Sequence, residues 1–255
     1  MIDCHCHLEQ REFNNEREKL IEKWKSKLKA IVTCCSHPKD FNLTLDLIKR
    51  YPKFIFCTVG IHPHYANISE EEISNFIKKI EKNRENIVAI GETGLDWHFI
   101  KENEIEKIKE KQEELFLKLI HLAKKIDKPL VIHSRDATSK VIEILERESM
   151  VDKVLMHLFN DKKNLSKIID NGWYISVGPG IIKSKDIKKI TRDMPLNKIL
   201  LETDSPWFAQ PGQEFGTPLN VNIPCESIAK IKKIEISKVE EITDANAIDF
   251  FSLKL

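Results

Sequence analysis

The fold this sequence predicts is α/β, a (β/α)8 barrel of the TIM type, and three observations carry that expectation. Eight short, β-branched runs recur along the chain, and most are followed by a longer stretch with helical periodicity. The runs are continuously apolar rather than alternating, as expected of parallel strands covered by helices. The length, 255 residues, matches the ~250 residues that eight such units occupy. No Pro/Gly/Ser-rich linker or low-complexity tract interrupts the pattern, so residues 1–255 are read as a single domain.

Taken in order, the first run is IDCHCH, residues 2–7. Side chains alternate faces along a strand, so His5 and His7 are expected on one side and Cys4 and Cys6 on the other. Two imidazoles at one spot suit a metal ion such as zinc, manganese, cobalt or iron; the pair alone is more simply read as a polar strand end. AIVTCC (30–35) and FIFCTVG (54–60) supply the next two runs. Ser69 with Glu72, ahead of Ile73, Phe76, Ile77 and Ile80, has the form of a capping box opening a helix.

IVAIGE (87–92) is the fourth run, and the charge-dense stretch 101–114 behind it reads as a solvated helix face. In that helix Ile105, Ile108, Leu115, Leu119, Ala123 and Ile126 fall near one side of a 3.6-residue period, the pattern of a surface helix over a core. PLVIHS (129–134), KVLMHL (153–158), YISVG (174–178) and KILLETD (198–204) complete the eight. Ser237 with Glu240 predicts a second capping box near the C-terminus.

Composition narrows the function. A formal net charge of +1 gives no steering toward nucleic acid or membrane, so any polyanion has to be gripped locally. No stretch approaches the ~20 apolar residues of a spanning helix, and the first strand follows Met1 directly with no leader pattern; a cytoplasmic protein without a membrane partner is expected. The six cysteines, at 4, 6, 34, 35, 57 and 225, form no CxxC pair and are expected to be mostly small buried hydrophobes in a reducing compartment.

An apolar strand that ends in His, Glu or Asp breaks its own pattern, and such breaks mark function. Here they recur at one end: His5 and His7 close the first run, Glu92 the fourth, His133 the fifth, His157 the sixth and Asp204 the eighth. In a parallel barrel those ends converge on one mouth, where the chemistry of this fold resides. Four imidazoles and two carboxylates exceed what one tetrahedral catalytic ion takes, about three protein ligands and a water. Two ions sharing a bridging carboxylate would use them all.

The H-x-H opening, GIHPH, GETGLD, IHSRDA, MHLF and LETDSP, in that order from residue 2 to about residue 207, resemble the motifs of the TatD family of metal-dependent deoxyribonucleases, within the amidohydrolase-like barrels. The resemblance implies one metal held by His5, His7, Glu92 and Asp204 and a second by Glu92, His133 and His157, with Glu92 bridging. It also implies a phosphate or supporting contact from His62, and a role near the site for Arg135, which otherwise reads as a structural partner of Asp136. His64, Asp96, Trp97 and His98 are expected in strand-following loops, with His64 and His98 lining the mouth. The chain departs from the family pattern after LETDSP: it reads WFAQPGQEFGTPLNV, and the asparagine and glutamate of the family's N-E-P element are absent before Pro218.

The chemistry implied is hydrolysis of DNA phosphodiesters by a hydroxide activated on two divalent ions (Zn, Mn or Mg), typically ~3.5–4 Å apart. Asp204 would accept the water's proton, and Arg135 would offset charge on the phosphoryl oxygens. Trp97, Trp207 and Phe208 either stack on unpaired bases or pack loops onto the rim, and single strands or duplex ends are the expected substrates. The alternative in the same fold is an amide, ester or lactone hydrolase acting on a small molecule. A noncatalytic metal- or nucleic-acid-binding protein would instead show a basic contact face.

Overall fold

The computed structural model describes residues 1–98, 100, 104–150 and 153–255; positions 101–103 of the charge-dense stretch lie outside the described residues. Eight strands, β1 (Ile2–Cys6), β2 (Ala30–Cys35), β3 (Ile55–Val59), β4 (Ala89–Asp96), β5 (Leu130–Arg135), β6 (Val154–Met156), β7 (Tyr174–Val177) and β8 (Ile199–Leu201), follow one another in a parallel sheet in sequence order. The sheet curls until its two edges meet. His7 N–H donates to the Ser205 carbonyl at 2.8 Å and Asp204 N–H to the His5 carbonyl at 2.9 Å. The buried Asp3 carboxylate bonds the Thr203 hydroxyl and amide across the same seam, at 2.6 and 3.0 Å.

Between strands run α1 (Arg17–Lys25), α2 (Phe41–Arg50), α3 (Glu70–Lys82), α4 (Ile105–Ile126), α5 (Thr138–Arg147), α6 (Leu165–Asp170) and α7 (Lys185–Asp193), and the chain ends in α8 (Asn222–Lys232) and α9 (Ile236–Phe251). The larger apolar core lies between the outer face of the strands and these helices. A second cluster fills the barrel itself: Ile2, Cys4, Ala30, Val32, Ala89, Val131, Leu155 and Leu200, joined by Ala247, Phe250, Phe251 and Leu253. α9 and the residue behind it thus plug the end of the barrel where the strands begin, leaving the opposite end open for polar residues.

In α4, Leu115, Leu119 and Ala123 are buried as the periodicity predicts, and Ile105, Ile108 and Ile126 are half-buried. The Ser69 cap forms, with its hydroxyl accepting from Glu72 N–H at 3.1 Å. Ser237 caps nothing: α9 starts at Ile236 with Glu235 at its N-cap, and Glu240 is engaged by the N-terminal ammonium at 2.7 Å. The Cys4/Cys6 expectation also needs correcting. Strand register shifts between Asp3 and Cys6, so Cys4 enters the barrel interior while Cys6 joins the outer core. Asp96 is no loop residue either, being the last residue of β4. Among the described residues no helix is long and apolar enough to cross a membrane.

Candidate metal centre

All six strand-end residues converge on the open end. His5 Nε2 lies 3.1 Å from His7 Nε2. Glu92 Oε2 is 3.6 Å from the first of these nitrogens and 3.7 Å from the second, and Asp204 Oδ1 is 3.7 and 3.3 Å away. The other oxygen of Glu92, Oε1, meets His133 Nδ1 at 2.7 Å and stands 3.6 Å from His157 Nε2. One carboxylate therefore divides two sets of donors. The His5 and His157 rings stack with centroids 3.8 Å apart.

Local backbone makes this convergence possible. Gly91 and Gly94 flank Glu92, both with positive φ (155° and 138°). A Cβ on Gly91 would lie 2.5 Å from the Val131 carbonyl oxygen, and one on Gly94 would lie 2.1 Å from that of His133. Only glycine allows β4 to press this closely on β5 and set Glu92 beside His133. Asp204 adopts a left-handed conformation at φ 54°, uncommon for a residue with a side chain, in the turn whose amide closes the barrel on His5.

Three of the four rings are anchored on their far side. His7 Nδ1 bonds the Cys34 carbonyl at 3.1 Å, His157 Nδ1 bonds Glu202 at 2.7 Å, and His133 Nε2 bonds Asp96 at 3.0 Å. In each case one ring N–H is held outward and the other nitrogen is turned to the centre, the usual support for metal-binding imidazoles. Neither Glu202 nor Asp96 was singled out as a site residue by the strand-end reading. Glu202 stands in the same LETD break as Asp204 and was legible by the same rule, whereas Asp96 shows its role only through its partners. Its Oδ2 also meets His64 Nε2 at 3.0 Å, and its main chain is clamped by buried Gln112 through two 3.0 Å bonds.

Charge in the cluster is distributed accordingly. Burial raises the Glu92 carboxyl, but the imidazoles of His62, His157, His133 and His5 outweigh it and hold the group well below the usual range. Asp204 is likewise lowered, burial being overcome by His7 and His157. Burial depresses the two imidazoles His133 and His157, yet Asp96 and Glu92 lift His133 to about 9 and Glu202 and Glu92 lift His157 to about 10. Burial pushes His62 down to about 3.

The centre opens into a cleft of about 640 Å³. His62, His64 and Arg135 line it, as do Trp207 and Phe208. His62 Nδ1 accepts from His64 N–H at 3.2 Å, which leaves the neutral ring's proton on Nε2, 3.6 Å from Glu92 Oε1. With Asp96 and His133 the ring also forms a group of potential ligand atoms within 4.8 Å of one another. The expectation for His98 is corrected, and of the two readings of Trp97 the packing one holds. His98 does not line the cleft but bonds Asp136 at 2.6 Å. Trp97 packs on the outer core, with the Lys109 ammonium 4.5 Å over its ring.

A divalent metal fits this donor set. Carboxylate oxygens and inward-turned imidazole nitrogens are the ligands such ions take, and Glu92, His133 and His157 offer ligand atoms that all lie within 4.8 Å of one another.

Comparison with known proteins agrees with the geometry. The sequence profile described as TatD related DNase matches residues 2–252. Deoxyribonuclease TATDN3 of Homo sapiens is 32% identical over 262 residues, covering 98% of this chain and 94% of that protein. A metal-dependent hydrolase of Methanocaldococcus jannaschii is 32% identical over 255 residues, covering 100% of this chain and 98% of its own. Among solved structures, the TatD homolog YjjV of Escherichia coli superposes with a TM-score of 0.89 at 22% identity, over 100% of this chain and 98% of the other, a likeness of fold.

Proposed function

The chain belongs to the TatD-related DNase family, and from that premise we propose that this metal-dependent hydrolase is a deoxyribonuclease working with two divalent cations. The observation that carries the reading is the split of Glu92. Its Oε2 faces the His5, His7 and Asp204 donors, while Oε1 faces His133 and His157. His5, His7, Glu92 and Asp204 would hold one ion, and Glu92, His133 and His157 the other. Bound there, the pair supplies Lewis acidity toward phosphoryl oxygens and lowers the pKa of water.

The protein's own groups would do the rest. Asp204, kept ionised by His7, accepts a proton from the attacking water. His62 directs Nε2–H into the cleft, and Arg135, exposed on its wall, offsets phosphate charge that the nearly neutral surface does not. Trp207 and Phe208 are 48% and 42% exposed beside the centre, enough ring surface to stack on a base for ~1–3 kcal/mol.

A recessed centre behind an aromatic rim favours a single strand or a frayed duplex end over the middle of a duplex. Six free, buried cysteines support a reducing, cytoplasmic setting.

Oligonucleotides labelled at either end, presented as single strands, blunt duplexes and closed circles after chelation and re-addition of single metals, test the proposal. Metal-dependent cleavage of single strands and duplex ends is expected. Amide or lactone turnover without nuclease activity would overturn it, as would preferential attack on closed duplex circles for the substrate preference.

A further inference from the structure

Cys34 differs from the other five cysteines. Cys4 belongs to the apolar filling of the barrel, and Cys6, Cys35, Cys57 and Cys225 to the core outside it. Cys34, 1% exposed, belongs to neither. Val32, two residues earlier, faces the barrel interior, and alternation along β2 puts the Cys34 side chain on that inner face, one step nearer the mouth.

There it meets polar groups. The Cys34 sulfur and the donor atoms of His5, His7 and Glu92 all lie within 4.8 Å of one another. Glu92 N–H donates to the sulfur at 3.2 Å, while the Cys34 carbonyl orients His7 from behind. His5 Nε2, the ring atom turned to this cluster, stands 3.1 Å from His7 Nε2 and 3.6 Å from Glu92 Oε2. A thiol that merely filled space would be better served by hydrocarbon neighbours; this one is walled by imidazole and carboxylate.

We propose that Cys34 is a thiolate ligand at the first cation position, beside His5, His7 and Glu92, and that it biases the centre toward thiophilic ions. The inference rests on the metal-centre reading above. Oxygen and imidazole donors alone are compatible with magnesium or manganese, whereas a soft thiolate selects zinc, iron(II) or cobalt(II). The thiol proton passes to solvent as the ion binds, so loading releases one proton more than a centre without the cysteine.

Cobalt(II) substitution tests this without reference to turnover. The wild-type protein is expected to show a near-ultraviolet sulfur-to-cobalt charge-transfer band together with visible ligand-field bands. Cys34→Ser and Cys34→Ala should lose the first and keep the second, and Cys35→Ser should keep both. In metal competition, Cys34→Ser should lose at least about tenfold in zinc affinity, the smallest cost seen even for groups that only support a ligand, with magnesium affinity little changed. Ligand-field bands in the wild type without a charge-transfer band would overturn the assignment while leaving the metal centre intact, and so would a band that survives in Cys34→Ala. Absence of any stoichiometric cobalt binding would overturn both. The wild-type spectrum decides even where a variant fails to fold.

Discussion

Replacing Glu202 by glutamine removes one charge and one acceptor from a fully buried site. In the wild type, Oε2 accepts from His157 Nδ1 at 2.7 Å and Oε1 from Leu158 N–H at 2.8 Å. Glutamine has a single acceptor oxygen, so one contact must fail. If the amide nitrogen faces His157, Nδ1 becomes an acceptor and the ring proton moves to Nε2, the atom aimed at Glu92 and Asp204 at 3.6 and 3.9 Å. That tautomer cannot ligate through Nε2. If the nitrogen instead faces Leu158, two donors oppose each other, and Leu158 N–H keeps only the longer contact to the Ser176 hydroxyl at 3.3 Å.

An unsatisfied buried donor costs ~1–3 kcal/mol, and loss of a group supporting a metal ligand typically costs ~10–100-fold in affinity, or about 1.4–2.8 kcal/mol. The two estimates agree. Competition against a chromogenic chelator should therefore show one of two ions bound about 10–100-fold more weakly in Glu202→Gln, the other being little affected. Two ions bound with wild-type affinity would refute the argument that Glu202 sets the His157 tautomer.

Three further outcomes are expected. Asp204→Asn should lower kcat by about 10²–10⁴-fold, the usual contribution of a positioned proton acceptor, with substrate affinity changed far less in a filter-binding assay. Trp207→Ala should weaken single-strand binding by about 1–3 kcal/mol, appearing in KM, while cleavage of the bound strand continues; unchanged KM would remove the stacking role. In the chelated protein, His133 and His157 have folded-state pKa values of about 9 and about 10, above the ordinary 6.5. The folded state then binds more protons than the unfolded one, so their stabilisation is complete below about pH 6.5 and is lost as pH rises toward 9–10. Tm of the metal-free protein should fall across that window and Tm of the metal-loaded protein should fall less. A metal-free Tm flat from pH 6.5 to 10 would contradict the protonated cluster.

Sequence alone determined the eight-strand barrel and singled out the six candidate donors. Strand periodicity is local, and a polar residue ending an apolar run is visible without neighbours; His5, His7, Glu92, His133, His157 and Asp204 all announced themselves that way. Failures came where a local rule met a tertiary competitor. Ser237 followed by Glu240 spells a capping box, yet Glu240 is taken by an N-terminus 239 residues away. Alternation placed Cys4 and Cys6 together, and the register shift of β1 against β2 parted them.

Tertiary structure decided how the donors are used. Hydrogen bonds between side chains distant in sequence choose which nitrogen of each ring faces inward, so Glu202, 45 residues from His157, and Asp96, 37 from His133, acquire meaning only when the sheet closes. The same closure sets the two oxygens of Glu92 between separate groups of side chains and brings the Cys34 sulfur up to the Glu92 amide 58 residues along the chain. A sequence lists donors one at a time; their tautomers, their division and their company depend on distances of a few ångströms between segments that only the folded barrel brings together.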